Sequence, residues 1–264
     1  MTDVTALPRI SLLLPTMRRR EHFRVALESV LRDAKEYSNL EIIVIDGATG
    51  DESVVDIVQE YSNAIAWYGP GEGRGLYGAL NTGLKHATGD YVRMVSDDDG
   101  YVSGVMRLYG EYMLQHPEYV AVGGTAVFTV TDGDGNAVTR TDFGTRTGEI
   151  TMATYAQSAS FVECIHEALY IRRDALLRIG GWSEMFTVSG DIDMLFRLLR
   201  GGRSIMILPH VLVEARRTNR SLSCRLPIRA MLEPLISLII RGYWHIAAVR
   251  IVRHMRSVMR IGSR

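Results

Sequence analysis

The run Tyr91-Val92-Arg93-Met94-Val95, which leads through Ser96 into Asp97-Asp98-Asp99, indicates a buried strand that ends in carboxylates. A turn pair, Gly89-Asp90, introduces this strand. Because open α/β sheets bind ligands beyond the carboxyl ends of their strands, the aspartates are expected at a binding edge. Three adjacent like charges are costly without a cation between them, and their oxygens suit Mg²⁺ or Mn²⁺. The alternative is a solvated acidic turn.

Strand and helix signals alternate along the first 125 residues. The strand-like runs are β-branched or apolar, and they lie at residues 10–14, 42–45, 65–68, 91–95 and 119–128. The segments between them mostly carry apolar residues at helical spacing or look helical, and they lie at residues 21–36, 52–61, 76–87 and 103–116. This alternation predicts an α/β fold with a mostly parallel central sheet, right-handed crossovers and helices on both faces.

The pattern changes after residue 125. Asp132-Gly133-Asp134-Gly135-Asn136 predicts a hairpin turn between strands at 126–130 and 137–141. A strand at 168–171, a helix from Arg173 to Gly180-Gly181, a helix at 191–200 and a last strand at 204–208 follow. These elements complete one large α/β domain.

The composition is that of a globular protein: 264 residues, 47% of them hydrophobic and 23% charged. Two cysteines, Cys164 and Cys224, are too few for a disulfide framework and lack metal-ligand spacing, which favours a reducing, cytoplasmic setting. The first nine residues contain no apolar segment, so no signal peptide is expected.

Charge is distributed unevenly, although the formal net charge is zero. Residues 216–264 contain eleven arginines and a single acid, Glu233, which gives +10 there and −10 in residues 1–215. This shift predicts a catalytic domain over 1–215 and an Arg-rich helical extension over 216–264. A helix from Val249 onward would carry arginines on one face (Arg250, Arg253, Arg256, Arg260, Arg264) and apolar residues on the other. Such a helix is typical of an anionic membrane surface; a helix packed on its own domain, or an arm for another polyanion, is the alternative.

Several motifs occur in the order found in family 2 glycosyltransferases, which have the GT-A fold, and together the sequence resembles that family over roughly residues 8–215. The matching segments are Ile10-Ser11-Leu12-Leu13-Leu14-Pro15-Thr16, Val44-Ile45-Asp46-Gly47, Gly75-Leu76-Tyr77-Gly78-Ala79-Leu80-Asn81, Thr88-Gly89-Asp90-Tyr91 with Asp97-Asp98, and Gly180-Gly181-Trp182 with Gly190-Asp191-Ile192-Asp193. Each is weak alone, but the series is specific.

The resemblance implies where a nucleotide-sugar donor binds. Pro15 and Thr16 would form a wall for the base, and Asp46 would accept a hydrogen bond from a uracil ring N–H. Asp97 would lie near the ribose, while Asp98 would bind the Mg²⁺ or Mn²⁺ that bridges the diphosphate. That ion stabilises charge on the departing nucleotide.

The resemblance also implies residues on the reacting side. Asp191 matches the general base that deprotonates the acceptor hydroxyl, with inversion at the anomeric carbon; pure helix capping is the alternative. Arg74, in a glycine-rich loop, is placed to reach the diphosphate. His166 resembles an element lining the acceptor or diphosphate side, although Glu167 replaces the family's Gln.

Two departures from the family pattern bear on specificity. Gly73 and Gly78 stand where many relatives have aspartates, so the identity of the sugar does not carry over. Met17-Arg18 replaces the usual Tyr-Asn after Pro-Thr, which bears on contacts to the base or phosphates.

These features together predict an inverting, metal-dependent glycosyltransferase that moves a sugar from a nucleotide-diphosphate donor, a UDP-sugar, to a hydroxyl acceptor. A glycan or lipid-linked glycan of cell-surface polysaccharide assembly is the expected acceptor, with the protein peripheral on the cytoplasmic face of the membrane and no nucleic-acid partner. One alternative is an inactive family member that acts as a membrane scaffold or partner subunit. The other, a nucleotidyltransferase, is disfavoured because Pro15 follows the first strand in place of a triphosphate-binding glycine loop.

Overall fold

The computed structural model describes residues 6–97, 99–102, 104–131, 137–142, 146–157, 166–217, 225–249 and 251. The strands are Ile10–Thr16 (β1), Leu40–Asp46 (β2), Ile65–Pro70 (β3), Tyr91–Met94 (β4), Gly100–Tyr101 (β5), Ala121–Thr131 (β6), Ala137–Asp142 (β7), Gly148–Ile150 (β8), Leu169–Arg172 (β9) and Ile205–Arg217 (β10). The helices are Arg20–Ala34 (α1), Val55–Glu60 (α2), Gly75–His86 (α3), Met106–Gln115 (α4), Met152–Gln157 (α5), Arg173–Arg178 (α6), Gly190–Leu199 (α7) and Pro227–Ile240 (α8). Short 3₁₀ turns lie at Gly50–Glu52 and His166–Ala168.

One sheet joins the strands in the order β3-β2-β1-β4-β9-β6-β10-β5, with β7 added at β6 and β8 at β10. The four strands β3, β2, β1 and β4 are parallel to one another, as the alternating sequence pattern predicted. Their carboxyl ends therefore lie at one edge of the sheet, where Thr16 of β1 is paired with Asp46 of β2.

The second half of the sheet is mixed. Strand β9 runs antiparallel to its neighbours β4 and β6, whereas β10 is parallel to β6. The predicted hairpin is confirmed by the antiparallel pairing of β6 with β7, although its turn, residues 132–136, lies outside the described residues. The fold is therefore α/β, and its sheet is parallel in the first half and mixed in the second.

Strand β10 is longer than predicted. The sequence pattern predicted a strand that ends at Leu208, and the next residue, Pro209, cannot donate a ladder hydrogen bond. In the structure the strand continues to Arg217, and the register against β6 shifts between Ile207 and Val213. A bulge thus absorbs the proline and lets the strand resume its pairing.

Two apolar layers cover the faces of the sheet. Along β1, Ile10, Leu12 and Leu14 face one layer and Leu13 the other. A strand that is buried on both faces is typical of a parallel sheet between helices. The first layer contains residues of α1 and α4, and the second contains residues of α3 and α7.

Part of the Arg-rich extension packs on this domain. Leu238 of α8 belongs to the same apolar layer as α3 and α7. Asp193 of α7 is fully buried, where it accepts hydrogen bonds from Ser237 Oγ at 2.7 Å and from Arg241 Nε at 3.0 Å. Arg197, one turn further along α7, donates to the same carboxylate at 2.7 Å. The helix α8 is therefore held to α7 by a buried ionic network as well as by apolar contact.

The remaining predictions for the extension stay predictions. The division of the chain at residue 216 is not tested by these contacts, and most of the basic helix expected from Val249 lies outside the described residues. Of the helices in the described part of the chain, none is long and apolar enough to cross a bilayer.

A buried carboxylate, Glu41, ties β2 to the turn before β4. It accepts hydrogen bonds from Ser11, from the backbone N–H of Thr88 at 2.6 Å and of Gly89 at 3.0 Å, and from Arg9 at 2.9 Å. Burial by itself raises the pKa of the Glu41 carboxyl, but the donors from Ser11, Thr88 and Arg9 outweigh it and lower the pKa to about 2.

We expect Glu41→Gln to lower the free energy of unfolding by about 2–4 kcal/mol at pH 7, because an amide cannot accept from all of these donors. The pKa is lowered in the folded state, so the contribution of the charge is present above the ordinary Glu pKa and is lost as the pH falls towards 2. Urea denaturation between pH 3 and pH 8 measures this, and the difference should shrink at the acid end. Glu21→Gln, at an exposed position in α1, is the control; an equal effect in both variants would contradict the role of Glu41.

Candidate functional site

The carboxyl ends of β1, β2 and β4 bring four of the predicted donor residues together. Pro15 and Thr16 end β1, and Asp46 ends the neighbouring strand β2. The backbone N–H of Gly47 donates to Thr16 O at 2.8 Å, which closes the edge between the two strands. Thr16 Oγ1 donates to Asp97 Oδ2 at 3.0 Å, so the residue that follows β4 also faces this edge.

The Asp46 carboxylate is buried and its orientation is fixed. Its Oδ2 accepts hydrogen bonds from Ser53 Oγ at 2.6 Å, from Val54 N at 2.9 Å and from Tyr68 OH at 3.2 Å. Its Oδ1 accepts one, from Ala48 N at 2.9 Å. Oδ2 is therefore the more heavily engaged oxygen, whereas Oδ1, with one hydrogen bond from the chain, retains a lone pair that can accept from a ligand N–H. Sequence reasoning did not identify Tyr68 as a partner of Asp46, since it lies 22 residues away on β3.

Asp97 is paired with Arg19, a cation that the sequence analysis did not select. Arg19 Nη1 lies 3.1 Å from Asp97 Oδ1, which stabilises one of the three consecutive aspartates. The loop that carries Arg19 contains Arg18 in the left-handed region, at φ 59°. Asparagine adopts that conformation more readily than arginine does, which agrees with the Asn that the resemblance to the family leads us to expect at this position. Arg18 instead contacts Glu52 through an exposed ion pair at 2.9 Å.

A second cation, Arg93, lies in β4 directly before the aspartates. Its buried guanidinium donates to Glu167 O at 3.0 Å and to Tyr170 OH at 2.8 Å, and it stacks 4.9 Å from the centroid of the Tyr101 ring. Tyr101 OH in turn donates to Ser96 O at 3.2 Å. The segment that leads into the aspartates therefore packs against the Arg93 guanidinium and the aromatic rings that surround it.

The predicted metal ligand, Asp98, lies outside the described residues. Within the described ranges, no group of three or more His, Cys, Asp or Glu side chains is arranged to hold a metal ion. The role of Asp98 therefore stays a prediction based on its carboxylate chemistry and its place after β4.

Asp191 lies in the first turn of α7, as the motif predicted. Tyr77 OH, from α3, lies 3.3 Å from Asp191 Oδ1 and donates to Val188 O at 2.8 Å. Burial raises the pKa of the half-buried Asp191 carboxyl to about 6, and the nearby Glu233 charge adds to that. The backbone N–H groups of the helix start and the Tyr77 hydroxyl act in the opposite direction. A carboxylate with this pKa is ionised at neutral pH and remains basic enough to accept a proton.

The glycine-rich loop before α3 disfavours side chains at positions 73 and 78, where the resemblance to the family would place aspartates. A Cβ at Gly73, which has φ +80°, would lie 2.6 Å from a carboxylate oxygen of Glu184, and a Cβ at Gly78 would lie 2.7 Å from Glu72 O. Glu184 accepts from Arg74 N at 2.9 Å and from Asn81 Nδ2 at 3.2 Å. One carboxylate, Glu184, thus occupies the space beside the loop that an acid at position 73 would need.

This loop borders a cavity of about 440 Å³ that lies between α3 and the Gly180-Gly181 turn. Glu184 and Asn81 are among its polar lining residues. The Arg74 side chain is exposed at the start of α3, and its predicted contact to a diphosphate stays a prediction.

His166 is buried, and its Nε2 accepts a hydrogen bond from Trp182 Nε1 at 3.0 Å. Burial lowers the pKa of His166 to about 4, so the ring is neutral at physiological pH with its proton on Nδ1. A neutral ring with one nitrogen engaged by a core tryptophan is typical of a structural histidine. The predicted role of His166 on the acceptor or diphosphate side is not tested by these contacts.

We expect Asp191→Asn to raise the free energy of unfolding by about 1–2 kcal/mol near pH 8, because it removes a half-buried charge. The folded-state pKa of Asp191 is raised, so its favourable contribution is full below its ordinary pKa and is lost as the pH rises through about 6. The two proteins should therefore differ little at pH 4, as urea denaturation across pH 4–8 can measure. Asp51→Asn, at an exposed position, is the control; a stability difference independent of pH would rule out the raised pKa.

Comparison with known proteins identifies the family of this chain. The model of Glycosyl transferase family 2 matches residues 11–179. A Campylobacter jejuni protein named GalNAc(5)-diNAcBac-PP-undecaprenol beta-1,3-glucosyltransferase is 31% identical over 103 residues, which cover 38% of this chain and 33% of the relative. Escherichia coli WfgD, named UDP-Glc:alpha-D-GlcNAc-diphosphoundecaprenol beta-1,3-glucosyltransferase, is 23% identical over 107 residues, or 40% of this chain and 42% of the relative. The matched segment spans less than half of each relative.

Solved structures show the same fold. S. aureus TarS 1-349 has a TM-score of 0.65 at 18% identity, covering 94% of this chain and 72% of that one. The mannosyltransferase PcManGT from Pyrobaculum calidifontis, in complex with GDP-Man and Mn²⁺, has a TM-score of 0.67 at 21% identity, covering 90% and 66%. At such identities the likeness concerns the fold, which is GT-A, as the motifs predicted. Because the family model covers well over half of the sequence, this chain belongs to glycosyl transferase family 2.

Proposed function

We propose that this chain is an inverting glycosyltransferase that moves a sugar from a UDP-sugar to a hydroxyl group of a glycan or lipid-linked glycan. The observation that carries the proposal is the Asp191 carboxylate, held at the start of α7 with its pKa raised to about 6 by burial. A general base works best when its pKa lies near the working pH. Membership of family 2 supports the reaction class.

In the proposed reaction the acceptor oxygen attacks the anomeric carbon of the donor from the side opposite the diphosphate. The bond between that carbon and the diphosphate oxygen breaks, and the nucleoside diphosphate leaves with the electron pair. Asp191 takes the proton of the acceptor hydroxyl as the new bond forms, which leaves a neutral carboxyl and an inverted anomeric centre. Tyr77, which contacts Asp191 Oδ1 at 3.3 Å, keeps the carboxylate in one orientation.

The donor is proposed to bind at the carboxyl edge of β1, β2 and β4. Asp46 Oδ1, which has one hydrogen bond from the chain, would accept the ring N–H of uracil, and Pro15 with Thr16 would contact the base. Asp97, oriented by Thr16 and Arg19, would face the ribose. TarS was crystallised with UDP and with UDP-GlcNAc, which supports a uridine nucleotide without deciding the sugar. Arg74, exposed at the start of α3, is proposed to approach the diphosphate, and His166 is proposed to lie on the acceptor or diphosphate side.

The residues after β4 fit a divalent cation by the chemistry of their donors. Three consecutive carboxylates, Asp97 to Asp99, offer the hard oxygen ligands that Mg²⁺ and Mn²⁺ prefer. We propose that Asp98 is the direct ligand. When bound, the ion would neutralise charge on the departing diphosphate. The Mn²⁺ in the PcManGT complex supports such a site here.

Calorimetric titration of UDP, GDP, dTDP and CDP, with and without Mn²⁺, tests the nucleotide and the metal together. We expect metal-dependent binding of UDP, with a loss of more than about 10-fold in Asp98→Ala and a comparable loss in Asp46→Asn, which replaces one acceptor oxygen by a donor. Absence of binding for every nucleotide would instead favour the catalytically inactive scaffold.

Asp191→Asn should lower transfer at least about 10³-fold and leave UDP binding within about twofold, because the amide keeps the shape but cannot take a proton. Transfer from UDP-glucose to a synthetic GlcNAc-diphospholipid is the first assay, since both substrate types occur in the name of the WfgD relative. Asp51→Asn, at an exposed position, should retain full transfer. Unchanged transfer by the Asp191 variant with any active donor would refute the base.

We further propose that the protein is peripheral on the cytoplasmic face of the membrane, bound to anionic lipid through its C-terminal region. Apolar side chains on the outer face of α8 and just after it are exposed, among them Ile228, Ile236, Ile239 and Trp244. The same region, residues 216–264, carries a net charge of +10. A region that combines exposed apolar residues with arginines suits the surface of a lipid bilayer, where the apolar residues contact acyl chains and the arginines contact anionic headgroups.

Trp244 provides a measurement of this contact, because it is 69% exposed, whereas Trp182 is in the core and Trp67 stacks on His86; Trp67→Phe removes the contribution of that partly buried ring. We expect its fluorescence to shift to the blue with vesicles that contain phosphatidylglycerol, and to shift less with neutral vesicles or in high salt. Ile236→Ser with Ile239→Ser should weaken sedimentation with vesicles several-fold. Val25→Ser, at an exposed residue of α1, which covers the other face of the sheet, is the control; equal binding by all variants would argue against the proposed surface.

A further inference from the structure

Glu233, the only acid between residues 216 and 264, is buried on the inner face of α8. Its carboxylate accepts hydrogen bonds from three consecutive backbone N–H groups: Thr187 at 3.1 Å, Val188 at 2.8 Å and Ser189 at 2.9 Å. Successive N–H groups that converge on one anion form a strong, directional site for it. Glu233 lies in the extension, beyond residues 11–179, which the family model matches.

The three N–H donors belong to the segment that leads directly into α7. Ser189, the residue before the helix, makes no capping bond with its own side chain, so the Glu233 carboxylate holds this helix start. Val188 is held on both sides, because its N–H donates to Glu233 while its carbonyl accepts from Tyr77 OH at 2.8 Å. Tyr77 is the same side chain that contacts Asp191, three residues further along.

We propose that Glu233 is a positioning residue for Asp191: from outside the catalytic core, it fixes the backbone that aims the base. The inference rests on the proposed role of Asp191 and deepens it. Glu233 acts through the 187–189 backbone and has no contact of its own with the reacting atoms.

Attachment of α8 does not by itself require Glu233. Ser237 and Arg241 already bind the buried Asp193 of α7, and Leu238 packs in the apolar layer. A second buried carboxylate close to Asp191 is unfavourable for two ionised groups, and Arg229, with Nη1 3.9 Å from Glu233 Oε1, offsets it only in part. Besides helping to attach α8, the charge of Glu233 therefore raises the pKa of Asp191.

Among the described residues, the charged and titratable groups that act on Asp191 are Tyr77 of α3 and Glu233 of α8. Removal of the Glu233 charge should lower the pKa of Asp191, since a like charge disfavours the ionised form. Replacement of Ser237, on the same buried face of α8 and one turn away, removes a hydrogen bond to Asp193 but leaves the 187–189 donors in place. Ser237→Ala is therefore the matched control for a loss of packing alone.

The first measurement needs no substrate. The free energy of unfolding is measured from pH 4 to pH 8 for the wild type, Glu233→Gln and Ser237→Ala, each with and without Asp191→Asn. Within each pair, the pH dependence of the difference in the free energy of unfolding reports the pKa of the Asp191 carboxyl. We expect the transition near pH 6 to move down by at least about 0.5 pH unit in the Glu233→Gln background. In the Ser237→Ala background the transition should stay in place. An unmoved transition in Glu233→Gln would overturn the proposal.

The second measurement is transfer from UDP-glucose to the synthetic GlcNAc-diphospholipid. Glu233→Gln should lower kcat about 10-fold or more, leave the KM for UDP-glucose unchanged and shift the acid limb of the pH profile downward. Ser237→Ala should change none of the three. If Glu233→Gln does not fold, Glu233→Asp is measured instead. This variant keeps the charge, but its shorter side chain places the carboxylate further from the 187–189 N–H groups. We therefore expect kcat to fall while the acid limb of the pH profile stays in place. An unchanged kcat in the folded variant would overturn the positioning role.

The outcomes separate this inference from the proposed function. If Asp191→Asn retains transfer, the proposed base is wrong, whatever Glu233 does. If Asp191→Asn abolishes transfer and the Glu233 variants behave like Ser237→Ala, the base stands and only the positioning role of Glu233 fails.

Discussion

The parallel pairing of β1 with β2 on one side and β4 on the other is the constraint on which the rest of the molecule depends. Parallel strands end at the same edge, so their order alone brings Thr16, Asp46 and Asp97 together from positions 81 residues apart along the chain. At the opposite end of the same three strands, the Glu41 carboxylate joins β2 to Ser11 and to the turn before β4. The amino-terminal ends of these strands are thus joined through Glu41, while their carboxyl ends carry the residues of the proposed donor site.

Glu41 and Asp191 illustrate how one fold gives two carboxylates opposite properties. Burial raises the pKa of both groups. Around Glu41, donors from Ser11, Thr88 and Arg9 outweigh burial and lower the pKa to about 2, so the group remains a permanent anion that stabilises the fold. Around Asp191 the donors are fewer and the nearest charge is negative, so the pKa remains near 6 and the group can exchange a proton. The number of donors, and not burial alone, separates a structural carboxylate from a potential base.

Much of this arrangement follows from the sequence, and the exceptions have physical causes. The strand and helix alternation and the family motifs predicted the fold, the parallel strands and the edge residues, because those signals are local. The partners Arg19, Glu184 and Glu233 were not predicted, since their contacts with Asp97, Arg74 N and the 187–189 backbone depend on how distant segments pack. Glu233 stood out in the sequence only as a solitary acid among arginines. The continuation of β10 past Pro209 was missed because a bulge can absorb a proline that would otherwise end a strand.

The location of α8 has a consequence for how this protein can be divided. The composition shift at residue 216 makes that position an obvious place at which to shorten the protein. However, the fully buried Asp193 takes two of its three partners, Ser237 and Arg241, from the extension. A shortened protein that ends at residue 215 would keep Arg197 as a partner of Asp193 but would lose the other two. It would also expose to solvent the apolar surface that Leu238 covers. Among the described residues, the apolar layer that contains Leu238 also takes Ile246 and Ala247 from the extension, so a shortened protein that keeps this layer intact extends at least to Ala247.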